Sequence, residues 1–135
     1  MSINEIPANF RDLLADEKRA FMDLATTMPD GSPQVTPVWF NHDGDILLIN
    51  SAKGRVKDRN MRARPEVACL IVDPDNPYRY VQVMGRVEKI VEDKAVAEEH
   101  INDLNEKYHG RRGYPIGDAE RVQYHIRPEQ ISTMG

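Results

Sequence analysis

Six of the residues between Lys53 and Arg64 are basic (Lys53, Arg55, Lys57, Arg59, Arg62 and Arg64) and one, Asp58, is acidic. This stretch therefore carries +5 within a chain whose formal net charge is -4. The local reversal of sign marks a candidate anion site. Its residue types suit a phosphate. Gly54 lets the backbone approach an anion closely, and N–H groups at the start of a following helix can add donors. Lys57 offers a flexible point charge. Asn60 lies one turn further on, an i,i+3 neighbour able to bond an amide, carbonyl or hydroxyl edge of the same ligand. The competing reading is a solvated helix, and Arg59, Arg62 and Arg64 fit that reading better than ligation. The segment lacks the glycine pattern and Gly-Lys-Ser/Thr ending of a Walker loop, and the chain has no Gly-rich dinucleotide fingerprint.

A second candidate is Thr36-Pro37-Val38-Trp39. Proline donates no hydrogen bond, so a strand carrying it leaves backbone groups free to meet the edge of a planar ring. Trp39 can cover such a ring or serve as core or interface packing. Tyr78 and Tyr80, alternating with Arg79, are equally open to a dimer contact, a ligand wall or ordinary packing. His42, His100, His109 and His125 lack a metal-ligand spacing, so no metal site is expected. Ser51 has no nucleophile-elbow context, which argues against hydrolysis. No side chain stands out as a catalytic acid, although Tyr78, Tyr80 or a water could deliver a proton.

The 18 basic and 22 acidic residues leave no wide basic surface of the kind nucleic-acid binding needs. Cys69, the one cysteine, lies in an apolar run and cannot form an internal disulfide, which suits a reducing cytoplasm. No signal-peptide pattern is evident, and no apolar run approaches the roughly 18 residues of a membrane span. With 135 residues, one domain over 1–135 is expected, large enough to bury a core of its own.

The positioning elements follow from periodicity and turns. Residues 7–18 read as an amphipathic helix burying Phe10, Leu13 and Leu14. A strand begins near Met22, Pro29-Asp30-Gly31-Ser32 turns the chain, and a second strand covers 34–41. His42-Asp43-Gly44-Asp45 turns it again into Ile46–Asn50, and these short loops predict an antiparallel meander. A short helix ends at Arg64-Pro65. Strands follow over 67–72 and 78–91, the latter with a bend at Gly85. Asp93 caps a helix to Tyr108 on the spacing of Ala97, Ile101, Leu104 and Tyr108. A loop over 111–120 precedes a final strand, 121–126, interrupted at Arg127-Pro128-Glu129. The expected fold is mixed but mainly β: a barrel of about six antiparallel strands with short peripheral helices.

Several segments, taken in order, resemble the pyridoxamine-phosphate-oxidase-like split β-barrel superfamily, and within it the small deazaflavin-dependent reductases. They are Asp30 to Phe40, Ile49-Asn50-Ser51, Gly54 to Asn60, Arg64-Pro65-Glu66-Val67 and Val81 to Val87. The resemblance runs from about Leu24 to Ile131. It implies a homodimer with two cofactor sites at the subunit interface. It also implies a bound coenzyme F-420 or, alternatively, flavin mononucleotide (FMN). Lys57 matches the phosphate-binding lysine, with Arg55 and Ser51 near it and Asn60 a turn on. Thr36, Pro37 and Val38 match the strand lining the ring, Asn50 ends the next strand, and Tyr80 would approach from the partner. The Ser-Arg-Lys motif usual in the flavin oxidases is here Arg55-Val56-Lys57, which departs from that branch.

The implied activity is hydride transfer between a reduced deazaflavin and a small unsaturated organic acceptor, with the protein aligning the two. An FMN-binding reductase or oxidase, a non-catalytic cofactor carrier or sensor, and a haem-binding relative are the alternatives.

Overall fold

Alternating burial along Met22–Thr27 (β1) shows one apolar face, Met22, Leu24 and the Thr26 position, turned to the core. The computed structural model describes residues 1–135 and sets β1 in a curled sheet of seven antiparallel strands. The others are β2 (Pro33–Val38), β3 (Phe40–Asp43), β4 (Ile46–Ala52), β5 (Glu66–Asp73), β6 (Asn76–Val91) and β7 (Arg121–Met134). Their spatial order is β2-β1-β5-β6-β7-β4-β3, and the architecture is a split β-barrel with short helices at its periphery. One cluster of 22 buried apolar residues fills it, including Phe40, Leu47, Ile49, Val83 and Tyr124.

The expected strand over 34–41 is two strands, β2 and β3, interrupted at Trp39. The expected early meander is likewise two separate pairs. β2 pairs with β1 and β3 with β4, and these pairs lie at opposite ends of the sheet order. One residue, Trp39, therefore joins the two edge strands, and the sheet has to curl to bring them together.

At that corner the backbone of Phe40 is satisfied by side chains. Its N–H donates to the Tyr108 hydroxyl at 3.2 Å, and its carbonyl accepts from Lys107 Nζ at 2.7 Å. The Tyr108 hydroxyl donates onward to the Ala20 carbonyl at 2.7 Å. Both side chains come from α2 (Lys94–His109), capped at its start by Asp93 onto the Val96 N–H and at its end by Gly110 in the left-handed region. Lys107 is buried without a carboxylate partner. Its ammonium lies 4.0 Å from the centre of the Phe40 ring and 5.1 Å from that of Tyr108.

Two other expectations are corrected. Residues 7–18 form 3-10 turns, Ala8–Leu14 and Asp16–Lys18, in place of one α-helix. The apolar spacing still buries Phe10, Leu13 and Leu14, but the Asn9 carbonyl accepts from Arg79 at 2.6 Å. The final strand runs unbroken through Pro128. β4 pairs with β7 only over Arg121–Ile126, so Pro128 lies where β7 has a single neighbour and its missing N–H costs no ladder bond on the other side. Pro128 faces Gly85, where the β6–β7 register shifts and β6 bends as expected.

A Cβ on Gly85 would meet the Arg127 carbonyl oxygen at 2.8 Å and Ile126 Cγ2 at 2.9 Å. Gly85→Ala is expected to cost about 1–3 kcal/mol through overpacking against backbone, read as a lower urea midpoint at unchanged m-value. Lys107 supplies a pH test. Burial depresses its amine from 10.5 to about 8, so between those values the unfolded chain holds a proton that the folded chain has released. Stability therefore rises with pH above 8 until the tyrosines begin to ionise in the unfolded chain near 10. Denaturation curves across this window should show the rise in the wild type and a smaller one in Lys107→Met.

Candidate functional site

β4 is buried along its whole length because one face joins the barrel core and the other lies under α2. Asn50 and Ser51, near its C-terminal end, open onto a cavity of about 270 Å³ beside the start of α1 (Val56–Ala63). Three cations, Arg55, Lys57 and Arg121, line the polar end, and no acidic residue does. Burial first, then the guanidinium groups of Arg55 and Arg121, depress the pKa of Lys57 below the ordinary lysine value. Such mutual repulsion is relieved by an anion. Ser51 is 2% exposed and its Oγ has no hydrogen-bond partner. A buried hydroxyl of this kind needs an explanation, and a ligand oxygen in the cavity would provide one.

The opposite end of the cavity is apolar. Pro37, Val38 and Trp39 come from the barrel corner, Phe21 precedes β1, and Ile101 and Tyr114 lie on α2 and the following loop. Trp39 stacks on Tyr108 (ring centroids 5.2 Å apart), which stacks in turn on Phe21 (5.1 Å). Tyr114 meets Trp39 edge-on at 6.0 Å. A cationic pole next to flat aromatic walls accommodates a planar ring system bearing an anionic group.

The loop that presents Arg55 is fixed by Asp58. Its carboxylate is buried and accepts from the Gly54 N–H (2.8 Å), Arg62 Nε (2.9 Å) and the Tyr124 hydroxyl. Burial raises the Asp58 pKa, but these three donors outweigh it and hold the group below the usual carboxylate range. The Gly54 N–H, a candidate anion donor in the sequence, is thus committed within the protein.

The structure divides the basic segment. Arg55 and Lys57 reach the cavity. Lys53 pairs with Glu92 at 3.1 Å, and Arg64 donates to the Thr27 carbonyl at 2.7 Å. Arg59 faces solvent.

Of the nine candidate binding residues, Pro37, Val38, Asn50, Ser51, Arg55 and Lys57 share the cavity, and three lie outside it. Asn60 is 2% exposed. It donates to Thr26 Oγ1 at 3.0 Å and accepts from Arg64 at 3.1 Å, so it ties α1 to β1. Thr36 is next to the lining residue Pro37 but is not itself in the lining, and its buried Oγ1 is unpartnered. Tyr80 lies on β6 opposite Val72 and Met134. Arg121 and Tyr114 have no sequence signal, because only the register Ala52↔Arg121 brings β7 to the end of β4. No three His, Cys, Asp or Glu side chains are grouped to hold a metal, and no helix is long and apolar enough to cross a membrane.

Comparison with known proteins agrees with this fold. Residues 6–135 match the family model described as pyridoxamine 5'-phosphate oxidase. A solved structure of an F420 reductase superposes with a TM-score of 0.83 at 42% identity, covering 93% of this chain and 98% of the other. A conserved hypothetical protein from Mycobacterium tuberculosis gives 0.74 at 25% identity, covering 99% and 84% respectively. A General Stress Protein 26 from Bacillus anthracis shares the fold, at 0.66 and 19% identity, with 92% of each chain covered. Among curated proteins, a nonribosomal peptide synthetase (hkm11) of Aspergillus hancockii is 38% identical over 64 residues. That match takes in 47% of this chain, which spans only 5% of the synthetase's length. The chain belongs to the pyridoxamine 5'-phosphate oxidase family, on the side of its split barrels close to F420 reductases.

Proposed function

We propose that the protein is a deazaflavin-dependent reductase acting on a small unsaturated organic acceptor. The observation that carries this reading is the acid-free trio Arg55, Lys57 and Arg121 around the unpartnered Ser51 hydroxyl. The likeness to an F420 reductase over nearly the whole chain supports the choice of ring system. Lys57, Arg55 and Ser51 would hold the cofactor's phosphate, and Pro37, Val38 and Trp39 would line its ring. A bound deazaflavin supplies hydride transfer. The chain contributes alignment, a dry apolar wall at Trp39 and Ile101, and charge compensation at the phosphate. FMN satisfies the same phosphate clamp and is the second reading, because these cations recognise the phosphate and not the ring.

We also propose a homodimer. Tyr78, Met84 and Met134 are exposed apolar residues on β6 and β7, 79%, 43% and 53% accessible, and a second copy would cover them. In that assembly Tyr80 would approach the partner's cavity.

Native mass spectrometry of the purified chain, followed by fluorescence titration with coenzyme F-420 and with FMN, tests both proposals. A dimer binding F-420 tightly and turning over an electron-poor alkene or imine is expected. Binding without turnover across such acceptors would mark a carrier, and binding of neither cofactor would overturn the reading. In a folded Lys57→Ala variant, loss of a charge-assisted bond worth about 1.5–3 kcal/mol should weaken cofactor affinity roughly 10- to 150-fold. Unchanged affinity would remove Lys57 from the site.

Asp58→Ala, which leaves the Gly54 N–H and the buried Tyr124 hydroxyl without their acceptor while Arg62 keeps Glu92, should cost about 1–3 kcal/mol in urea denaturation. In the wild type this contribution is complete above the ordinary carboxylate pKa and lost as pH falls through the lower folded value.

A further inference from the structure

The phosphate clamp leaves Arg121 without a role. Its side chain lines the cavity and is only 8% exposed, and no carboxylate pairs with it. A buried cation without a counter-ion costs free energy, and here three positive charges converge where a phosphodiester would supply one negative charge and a monoester about two. Arg121 is also aimed. Its Nε donates to Asn50 Oδ1 at 2.9 Å, and its guanidinium lies 5.3 Å from the Tyr114 ring centre. With Nε engaged, the two terminal nitrogens remain as a fork suited to two oxygens of one oxyanion.

The orientation of Asn50 follows from that contact. Arginine has only donors, so Asn50 must turn its carbonyl oxygen to Arg121 and its NH2 toward α2. That NH2 donates to the Ala97 carbonyl at 3.0 Å and to His100 Nδ1 at 3.2 Å. His100 therefore carries its proton on Nε2 and donates it to Asn41 Oδ1 at 2.8 Å. The ring is 3% exposed, and burial, assisted by His125 and then Arg121 against the opposing charge of Asp103, draws its pKa down to about 4, which keeps it neutral. A directed chain thus runs from Arg121 on β7 through Asn50 on β4 and His100 on α2 to Asn41 on β3.

We propose that Arg121 binds a second oxyanion of the ligand, a carboxylate or further phosphate beyond the one held by Lys57 and Arg55. Asn50 and His100 are the positioning residues that aim it. The cavity would thereby select ligands with two anionic groups over ligands with one. This inference rests on the cavity being the ligand site of the proposed function.

Trp39 is the chain's single tryptophan and lines the cavity, so its emission reports occupancy without any assumption about the ring system. The full chain is titrated at fixed ionic strength with inorganic phosphate, pyrophosphate and 3-phosphoglycerate. In the wild type at least one of the two bis-anions should bind tenfold or more tighter than phosphate. Arg121→Gln should weaken that bis-anion tenfold or more and phosphate less than threefold. Arg121→Lys, which keeps the charge but loses the fork, should fall between. His100→Leu should reproduce the Arg121→Gln pattern, and His100→Gln, which can still accept from Asn50, should restore much of the preference. A merely structural His100 would instead weaken all three anions alike. Equal losses on phosphate and bis-anions in both Arg121 variants, or no loss, would overturn the inference while leaving the phosphate site intact. Failure of every anion to bind the wild type would overturn the phosphate-site reading as well.

Discussion

The seven-stranded sheet is closed by one residue. Trp39 lies between β2 and β3, the two outermost strands in the hydrogen-bonded order, so the sheet has to curl for both to be built. Closure at so short a link leaves the Phe40 N–H and carbonyl to find partners outside the sheet, and unpaired buried backbone groups are costly. Tyr108 and Lys107 supply those partners from α2. The barrel corner and the C-terminal half of α2 are therefore one unit. Lys107 is buried there without an acid because a carbonyl and two aromatic faces take the place of one.

The cavity is a consequence of this closure. The corner puts Pro37, Val38 and Trp39 on one wall, and α2 covers the end of β4 with Ile101. The cations arrive from two other directions, α1 and the start of β7. Acids nearby are occupied elsewhere: Asp58 with Arg62 and Tyr124, and Glu92 with Lys53 and Arg62. Neither acid lines the cavity, so Arg55, Lys57 and Arg121 have no carboxylate among them there. A fully paired surface would have had the same net charge and no affinity for anions.

Local signals in the sequence were legible and long-range ones were not. Arg55 and Lys57 are legible because loop, charge and helix start lie within a few residues, whereas Ser51 enters only through the family resemblance. Helical spacing and the family resemblance both put Asn60 with Lys57. That spacing describes one face of α1 but not that β1 would cover it and offer Thr26 as a partner. Arg121 lies far along the chain, and only strand register brings it beside Ala52. Pro128 reads as a strand break because periodicity does not disclose which stretch of a strand has one neighbour and which has two.

The division of labour within the cavity also bears on selectivity. Charged groups read oxyanions at short range and are indifferent to what the oxyanion is attached to, so Lys57 and Arg55 suit any phosphorylated ligand. Discrimination must come from groups whose position is fixed independently of that first contact. Arg121 meets this condition, because β7 sets its backbone, Asn50 its Nε and Tyr114 the plane beneath its guanidinium. Trp39 meets it too, held between Tyr108 and Tyr114 at the corner that closes the barrel. On the proposed reading, a ligand satisfying both would span the distance between a flat ring and a second anion, a distance set by the Trp39 corner at one end and by the β4–β7 register at the other.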